Sequence, residues 1–178
     1  AIVELMRILD QVGFPPGVVN LVNSQGPGPA SVLAESPDVD MVSFTGSTAV
    51  GQRIAQAGGA TMKRLLLELG GKGAAVVFDD ADVNAAITAI GSTWAFHSGQ
   101  ICTAPTRAVI HRSIFDQVVE KLSTFAGALK VGDPLELDTV VGPVISGPHY
   151  QRILDYITPG RSQGEVVAGG NRPEHLPT

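Results

Sequence analysis

Cysteine is almost absent, with Cys102 the only one in 178 residues. A single thiol excludes an internal disulfide framework and a cysteine-built metal site. Basic residues are few, 12 Lys and Arg against 17 Asp and Glu for a net charge of −5. They form no cluster of the kind a nucleic-acid surface needs, so no nucleic-acid partner is expected. No apolar run approaches the ~18 residues of a membrane span, and no signal-peptide pattern opens the chain. A soluble, cytoplasmic chain with no membrane partner is expected. Aromatics are scarce (one Trp, two Tyr, six Phe), which leaves much of the packing to small side chains. The four histidines, at 97, 111, 149 and 175, make no HExxH or paired ligand spacing, so no metal is expected.

What the chain does have is 44% hydrophobic residues, 21 Gly and 12 Pro. That Gly and Pro content lies above the average yet below the level of roughly 25–30% that marks low complexity. At about 150 residues per domain the length fits one domain or pieces of two, and it can bury a sizeable core. Ala1 is not an initiator Met, and the chain opens inside a helical pattern of Ile2, Leu5, Met6, Leu9 and Val12. Pro177-Thr178 closes it after a Gly/Pro-rich stretch with no finishing element. Both ends fit a fragment of a larger protein, with ordinary trimming of disordered tails as the alternative.

Between Gly17 and Phe78 short β-branched runs alternate with helical ones. Strands are expected at Val18–Val22, Met41–Thr45, Arg64–Leu69 and Ala74–Phe78, with helices over Ala30–Glu35 and Thr48–Ala57. Such repetition predicts right-handed βαβ units and a parallel sheet covered by helices, an α/β fold. In the second half, Asp82 is a good N-cap for a helix whose apolar face is Val83, Ala86, Ile87, Ile90 and Trp94. Asp79-Asp80 reads as a solvated helix entry rather than a metal site. A strand at Thr106–His111, helices at Phe115–Leu129 and Pro148–Ile157, and a last strand at Glu165–Ala168 complete the pattern. The best domain boundary lies near Gly70-Gly71.

Three segments could carry chemistry. In Phe44-Thr45-Gly46-Ser47-Thr48-Ala49-Val50-Gly51 a strand ends, a Gly turns the chain, and Ser/Thr opens a helix. Free N–H groups and the dipole at such an N-terminus favour a phosphate. Gly46 and Gly51 have P-loop spacing, but Gln52-Arg53 stand where that loop needs Lys and Ser/Thr, which argues against an ATPase or GTPase. A capped helix of any α/β protein explains the segment equally. Gly26-Pro27-Gly28-Pro29-Ala30-Ser31 only half-resembles a dinucleotide turn.

The second segment is Leu65-Leu66-Leu67-Glu68-Leu69-Gly70-Gly71-Lys72. A carboxylate at an apolar strand end is costly to bury unless paired or protonated, and such a site prepares a general base. A Glu facing solvent, or paired with Lys72, is the alternative. The third is Gly99-Gln100-Ile101-Cys102-Thr103-Ala104-Pro105-Thr106-Arg107. Lone cysteines are most often core residues, yet this one sits in a Gly/Pro-punctuated loop, where function concentrates. His97 lies close in sequence, which says little about pairing in the fold.

Taken in order, Phe-Thr-Gly-Ser-Thr, Leu-Glu-Leu-Gly-Gly-Lys and Gly-Gln-x-Cys resemble the aldehyde dehydrogenase superfamily. The 34 residues from Glu68 to Cys102 match its spacing. Pro15-Pro16-Gly17-Val18-Val19-Asn20, Val131-Gly132-Asp133-Pro134 and Gly142-Pro143 extend the resemblance along the chain. It implies residues 1–70 as the C-terminal half of an NAD(P)-binding domain with a Rossmann-like sheet. Residues 71–178 would be the N-terminal half of the catalytic, Cys-bearing domain. It implies Cys102 as nucleophile and Glu68 as the base for deacylation, with Gly46, Ser47, Gly51 and Leu69 at the cofactor, NAD or NADP. The substrate would be a small-molecule aldehyde, the parent a homo-oligomer, and His97 a positional residue where the family often has Asn. The Asn of the oxyanion hole, the Lys contacting the adenosine ribose and the Glu holding the nicotinamide ribose would lie outside these residues. Gly73-Ala74-Ala75 and Val141 depart from the family's usual Ser-Pro-Asn and Gln. The alternative is a self-contained, non-catalytic α/β binding or assembly module.

Overall fold

A computed structural model describes residues 1–174 and 176. His175, Pro177 and Thr178, named above in the histidine count and the terminal stretch, lie outside the described residues. The chain divides into two compact units, Ala1–Gly70 and Gly71–Thr178.

The first unit opens with helix α1, Ile2–Gln11. It ends in a Schellman closure: Phe14 N–H donates to Leu9 O at 2.9 Å and Gly13 N–H to Asp10 O at 3.0 Å. Gly13 takes the left-handed position at φ 77°, where a Cβ would be strained. Helix α2 is Gly28–Glu35 and buries Ala34. Strands β1, Met41–Gly46, and β2, Arg64–Leu69, pair in parallel, with Thr45 opposite Glu68 and Gly46 opposite Leu69. Helix α3, Thr48–Gly59, is the crossover between them. It packs closely because two glycines face β2. A Cβ on Gly51 would meet a Leu69 methyl at 2.6 Å, and one on Gly58 a Leu65 methyl at 3.1 Å. Ile54 fills the space beside them, 8% exposed. Lys63 enters this unit with its Nζ donating to Ser36 O at 2.5 Å, so the buried charge meets a carbonyl dipole.

Strands β3, Ala74–Val77, and β4, Arg107–Ile110, form the parallel pair of the second unit, Ala74 opposite Arg107 and Val77 opposite Ile110. Helix α4, Val83–Ala95, runs between them, and the Asp82 carboxylate caps it by accepting from Asn84 N–H at 2.9 Å and Ala85 N–H at 3.1 Å. Helix α5, Phe115–Gly127, packs on α4. Gly91 lets Phe125 lie against α4, since a Cβ there would come within 2.6 Å of the ring. The core of this unit is Val77, Ile87, Ile90, Ala95, Ala104 and Val118. Helix α6, Gly147–Gln163, begins at Ser146, whose Oγ accepts from His149 N–H at 3.3 Å.

Three expected elements differ. Val18–Val22 is not a strand: its residues bond locally, Val18 N–H to Pro15 O and Asn20 Nδ2 to Gly17 O, and the first unit's sheet contains only β1 and β2. β-branched composition favours a strand only where a ladder partner exists. Glu165–Ala168 is not a strand either. Ser123 Oγ binds Val167 O sideways at 3.2 Å, and Gly169 and Gly170, at φ 69° and 77°, bend the chain at once. Helix α6 runs past Ile157 and through Pro159. The Pro ring withdraws one donor, but Arg161 fastens the last turn by donating to Gly170 O at 3.0 Å and Asn171 Oδ1 at 2.9 Å.

Candidate active site

Cys102 is a free, exposed thiol in the loop between α4 and β4. The loop is reached through three consecutive left-handed residues, His97 (φ 48°), Ser98 (φ 56°) and Gly99 (φ 79°). Only the glycine adopts this without steric cost. Hydrogen bonds fasten the loop along its length. Gln100 closes the entry, its N–H donating to His97 O at 3.1 Å and its Nε2 to the same oxygen at 3.2 Å. Ser98 Oγ donates to Gly142 O at 3.2 Å. Within the loop Ala104 N–H reaches Ile101 O at 3.2 Å. At the exit the Trp94 indole donates to Pro105 O at 2.6 Å, and the Arg107 guanidinium to Lys72 O at 2.7 Å. Buried Ala104, 3% exposed, pins the loop to the core while Cys102 stays outside.

His97 packs edge-on against Phe96, ring centroids 4.3 Å apart. Among the described residues no hydrogen bond joins His97 to Cys102, so a hydrogen-bonded Cys-His pair is not formed. An open cleft of about 720 Å³ lies beside the loop between Phe96, Gln100, Phe125, Thr139 and Pro143, and Cys102 is not in its wall.

Glu68 stands on β2 opposite Thr45 and is exposed. Of the two readings open for this strand end, a buried carboxylate and a solvent-facing one, the solvent-facing one is observed: Leu65, Leu67 and Leu69 take the face that meets α3 and Glu68 takes the other. Strand alternation decides this. Among the described residues no ion pair joins Glu68 to Lys72.

At the end of β1 the chain turns at Gly46 and enters α3, where Ser47 Oγ accepts from Val50 N–H at 3.4 Å. The cap leaves the first amides of α3 without intrahelical partners, at the end of a parallel strand, and this donor set fits a pyrophosphate. Gly51 and Leu69 lie against each other, so Leu69 meets the helix that carries the cap. Asp82, and neither Asp79 nor Asp80, caps α4; Asp79 lies 3.9 Å from His111. Among the described residues no three His, Cys, Asp or Glu side chains converge as metal ligands.

Ser98 and Trp94 had no distinguishing signal in the sequence. Trp94 reads as one more apolar-face residue, and only its indole N–H reveals the second role. Ser98 reads as turn filler beside Gly99.

Parallel strand pairs, each joined through a helix, with a capped helix entry in one unit and a tethered thiol loop in the other, define an α/β structure of Rossmann-like character. Known proteins of this class agree. The aldehyde dehydrogenase of Bartonella henselae superposes with a TM-score of 0.92 at 37% identity, covering 99% of this chain and 37% of its own. The NAD⁺ complex of the aldehyde dehydrogenase of Bacillus cereus gives 0.91 at 35% identity, covering 97% and 35%. Among curated relatives, the 3-succinoylsemialdehyde-pyridine dehydrogenase of a Pseudomonas species is 44% identical over 174 residues, 97% of this chain and 36% of its own. The chloroplastic betaine aldehyde dehydrogenase of Amaranthus hypochondriacus is 40% identical over 176 residues, 97% and 35%. The family model for the aldehyde dehydrogenase family matches residues 1–177. The chain belongs to the aldehyde dehydrogenase family. It spans about 36% of the length of these relatives. Among the described residues no helix is long and apolar enough to cross a membrane.

Proposed function

We propose that the chain is the part of an NAD(P)-dependent aldehyde dehydrogenase that carries the nucleophile and the deacylating base. Residues 1–70 are the C-terminal half of its cofactor domain and residues 71–178 the N-terminal half of its catalytic domain. The observation that carries the reading is Cys102 itself: an exposed thiol on a loop fastened at both ends, inside a family match over residues 1–177.

The Cys102 thiolate attacks the aldehyde carbon, forming an S–C bond and moving the carbonyl pair onto oxygen. The Cys102 backbone N–H helps hold that oxyanion. Oxidation of the thiohemiacetal to a thioester needs a hydride acceptor, which a nicotinamide would supply when bound. Glu68 takes a proton from water, the water adds to the thioester, and the carboxylic acid leaves as Cys102 is regenerated. Gly46 and Ser47 at the entry of α3 would hold the cofactor pyrophosphate. Gly51 and Leu69 bring α3 and β2 together, which would support that helix entry.

The substrate is a small-molecule aldehyde, the product a free acid, and the working protein a homo-oligomer without nucleic-acid or membrane partner. A cytoplasmic site of action belongs to the same proposal. Relatives differ in location, since the aminoaldehyde dehydrogenase of Malus domestica is peroxisomal. Cys102→Ser in the full-length enzyme tests the reading. Oxidation should fall by several orders of magnitude with NAD(P) affinity unchanged, because a neutral hydroxyl is a far poorer nucleophile than a thiolate. Retained oxidation would return the chain to the non-catalytic module.

A further inference from the structure

We propose that Ser98 is a positioning residue for Cys102, acting through a single hydrogen bond to the Gly142 carbonyl; the proposal rests on Cys102 being the nucleophile. Helix α4 ends at Ala95, and the chain must reverse before it can deliver Cys102 to the start of β4. It does so through His97, Ser98 and Gly99, all left-handed. Two of these carry a Cβ, and such residues hold that conformation only where surrounding contacts over-determine it. Most of the contacts here are local: the Gln100 amide and side chain both return to His97 O. A local turn bonded to itself can still swing as a body. Ser98 Oγ to Gly142 O, at 3.2 Å, is a hydrogen bond that joins this turn to a distant part of the unit, 44 residues along the chain.

Gly142 is a firm anchor. The segment before it closes on itself: Val140 N–H and Val141 N–H both donate to Lys130 O at 3.0 and 3.1 Å, and Gly132 N–H returns to Val141 O at 3.1 Å. Lys130 Nζ and Asp138 complete the ring at 2.5 Å. Ser98 is half-buried, so its bond is only partly contested by water. The far end of the loop is already fixed by Trp94 and Pro105. With Ser98 in place both ends of residues 98–105 are held, and Cys102 has one approach direction. Without it the turn keeps its internal bonds to His97 O but loses its tie to Gly142.

The test uses the full-length enzyme with Ser98→Gly, Ser98→Ala and Ser98→Asn. Glycine removes the hydroxyl while favouring the left-handed turn, so it isolates the hydrogen bond from backbone strain and serves if the alanine variant folds poorly. Asparagine restores a donor and tolerates positive φ. Amide exchange at Gln100 and Ala104 should accelerate by about two- to tenfold in Ser98→Gly, the range that one net hydrogen bond supports. Exchange at Ile90 and Val118 should not move. The kcat should fall by a comparable factor with the NAD(P) KM unchanged, and Ser98→Asn should recover both readouts. Unchanged exchange at Gln100 and Ala104 would overturn the tether. Faster exchange with unchanged kcat would overturn its positioning role. Full activity in Cys102→Ser would instead remove the nucleophile on which the proposal rests, and the exchange data would show that failure to be separate.

Discussion

Cys102 and Glu68 differ in what holds them. The thiol sits on irregular backbone whose position depends on side-chain donors from Trp94, Ser98 and Gln100. The carboxylate sits in a regular ladder, opposite Thr45, and needs no such help. Substitutions around Cys102 should therefore alter kcat more readily than those flanking Glu68. A third residue, Asp138, shows how a surface pair can set a loop. The hydrogen bond from Lys130 holds its carboxyl below the usual Asp value. A lowered folded pKa contributes stability that is present above the ordinary carboxylate range and is lost as pH falls through the lowered midpoint. The group is fully exposed, so the contribution is small. Following the Asp138 carboxyl by NMR should give a midpoint below that of a model peptide, and Lys130→Met should move it upward. An unmoved midpoint would mean that the ring preceding Gly142 is not closed by this pair in solution.

At the scale of elements, close approach decides the packing. Gly91 allows the Phe125 ring onto α4, where a Cβ would lie 2.6 and 2.7 Å from two ring carbons. A rigid ring cannot yield as a methyl can, so Gly91→Ala should destabilise by roughly 1–3 kcal/mol, reduced by up to about 1 kcal/mol of helix propensity. A urea titration should show a lower midpoint, and Phe125→Leu in the same chain should suppress much of the loss. Additive effects of the two changes would show that α4 and α5 do not meet this way. The same elements mark what could be read in advance. Asp82 followed by a spaced apolar face announces α4, and Met41–Thr45 and Arg64–Leu69 announce β1 and β2, because local composition and burial pattern agree there. Val18–Val22 and Glu165–Ala168 have strand composition without a ladder partner, so their backbones bond elsewhere. The exposure of Glu68 followed from strand phase, with the three leucines claiming the α3 side. The tether of the thiol loop was illegible, since nothing in His97-Ser98-Gly99 announces a bond to Gly142.

Among the described residues of the whole molecule few apolar side chains are deeply buried, Ala34 and Ile54 in the first unit and a small core around α4 in the second. Helix α1 buries none of its residues, and Ile2, Leu5 and Ile8 remain about half exposed. Under the proposed reading the enzyme's remaining segments cover these faces and supply the other oxyanion donor and cofactor contacts. The 178-residue chain alone should bind a fluorescent apolar dye and show no measurable NAD(P) reduction with simple aldehydes. Loss of one oxyanion donor alone typically costs on the order of 10²–10³ in rate. Steady turnover by the isolated chain would refute this.

In the proposed reaction Cys102 carries the acyl group and Glu68 releases it. The most direct measurement is rapid-quench mass spectrometry of the full-length Glu68→Gln enzyme mixed with NAD(P) and an aldehyde. A single burst of reduced cofactor, equal to the number of active sites, should appear together with an acyl adduct on the peptide containing Cys102, and steady turnover should be absent. Undiminished steady turnover in that variant would remove Glu68 as the base, and a burst with the adduct on a different residue would remove Cys102 as the nucleophile.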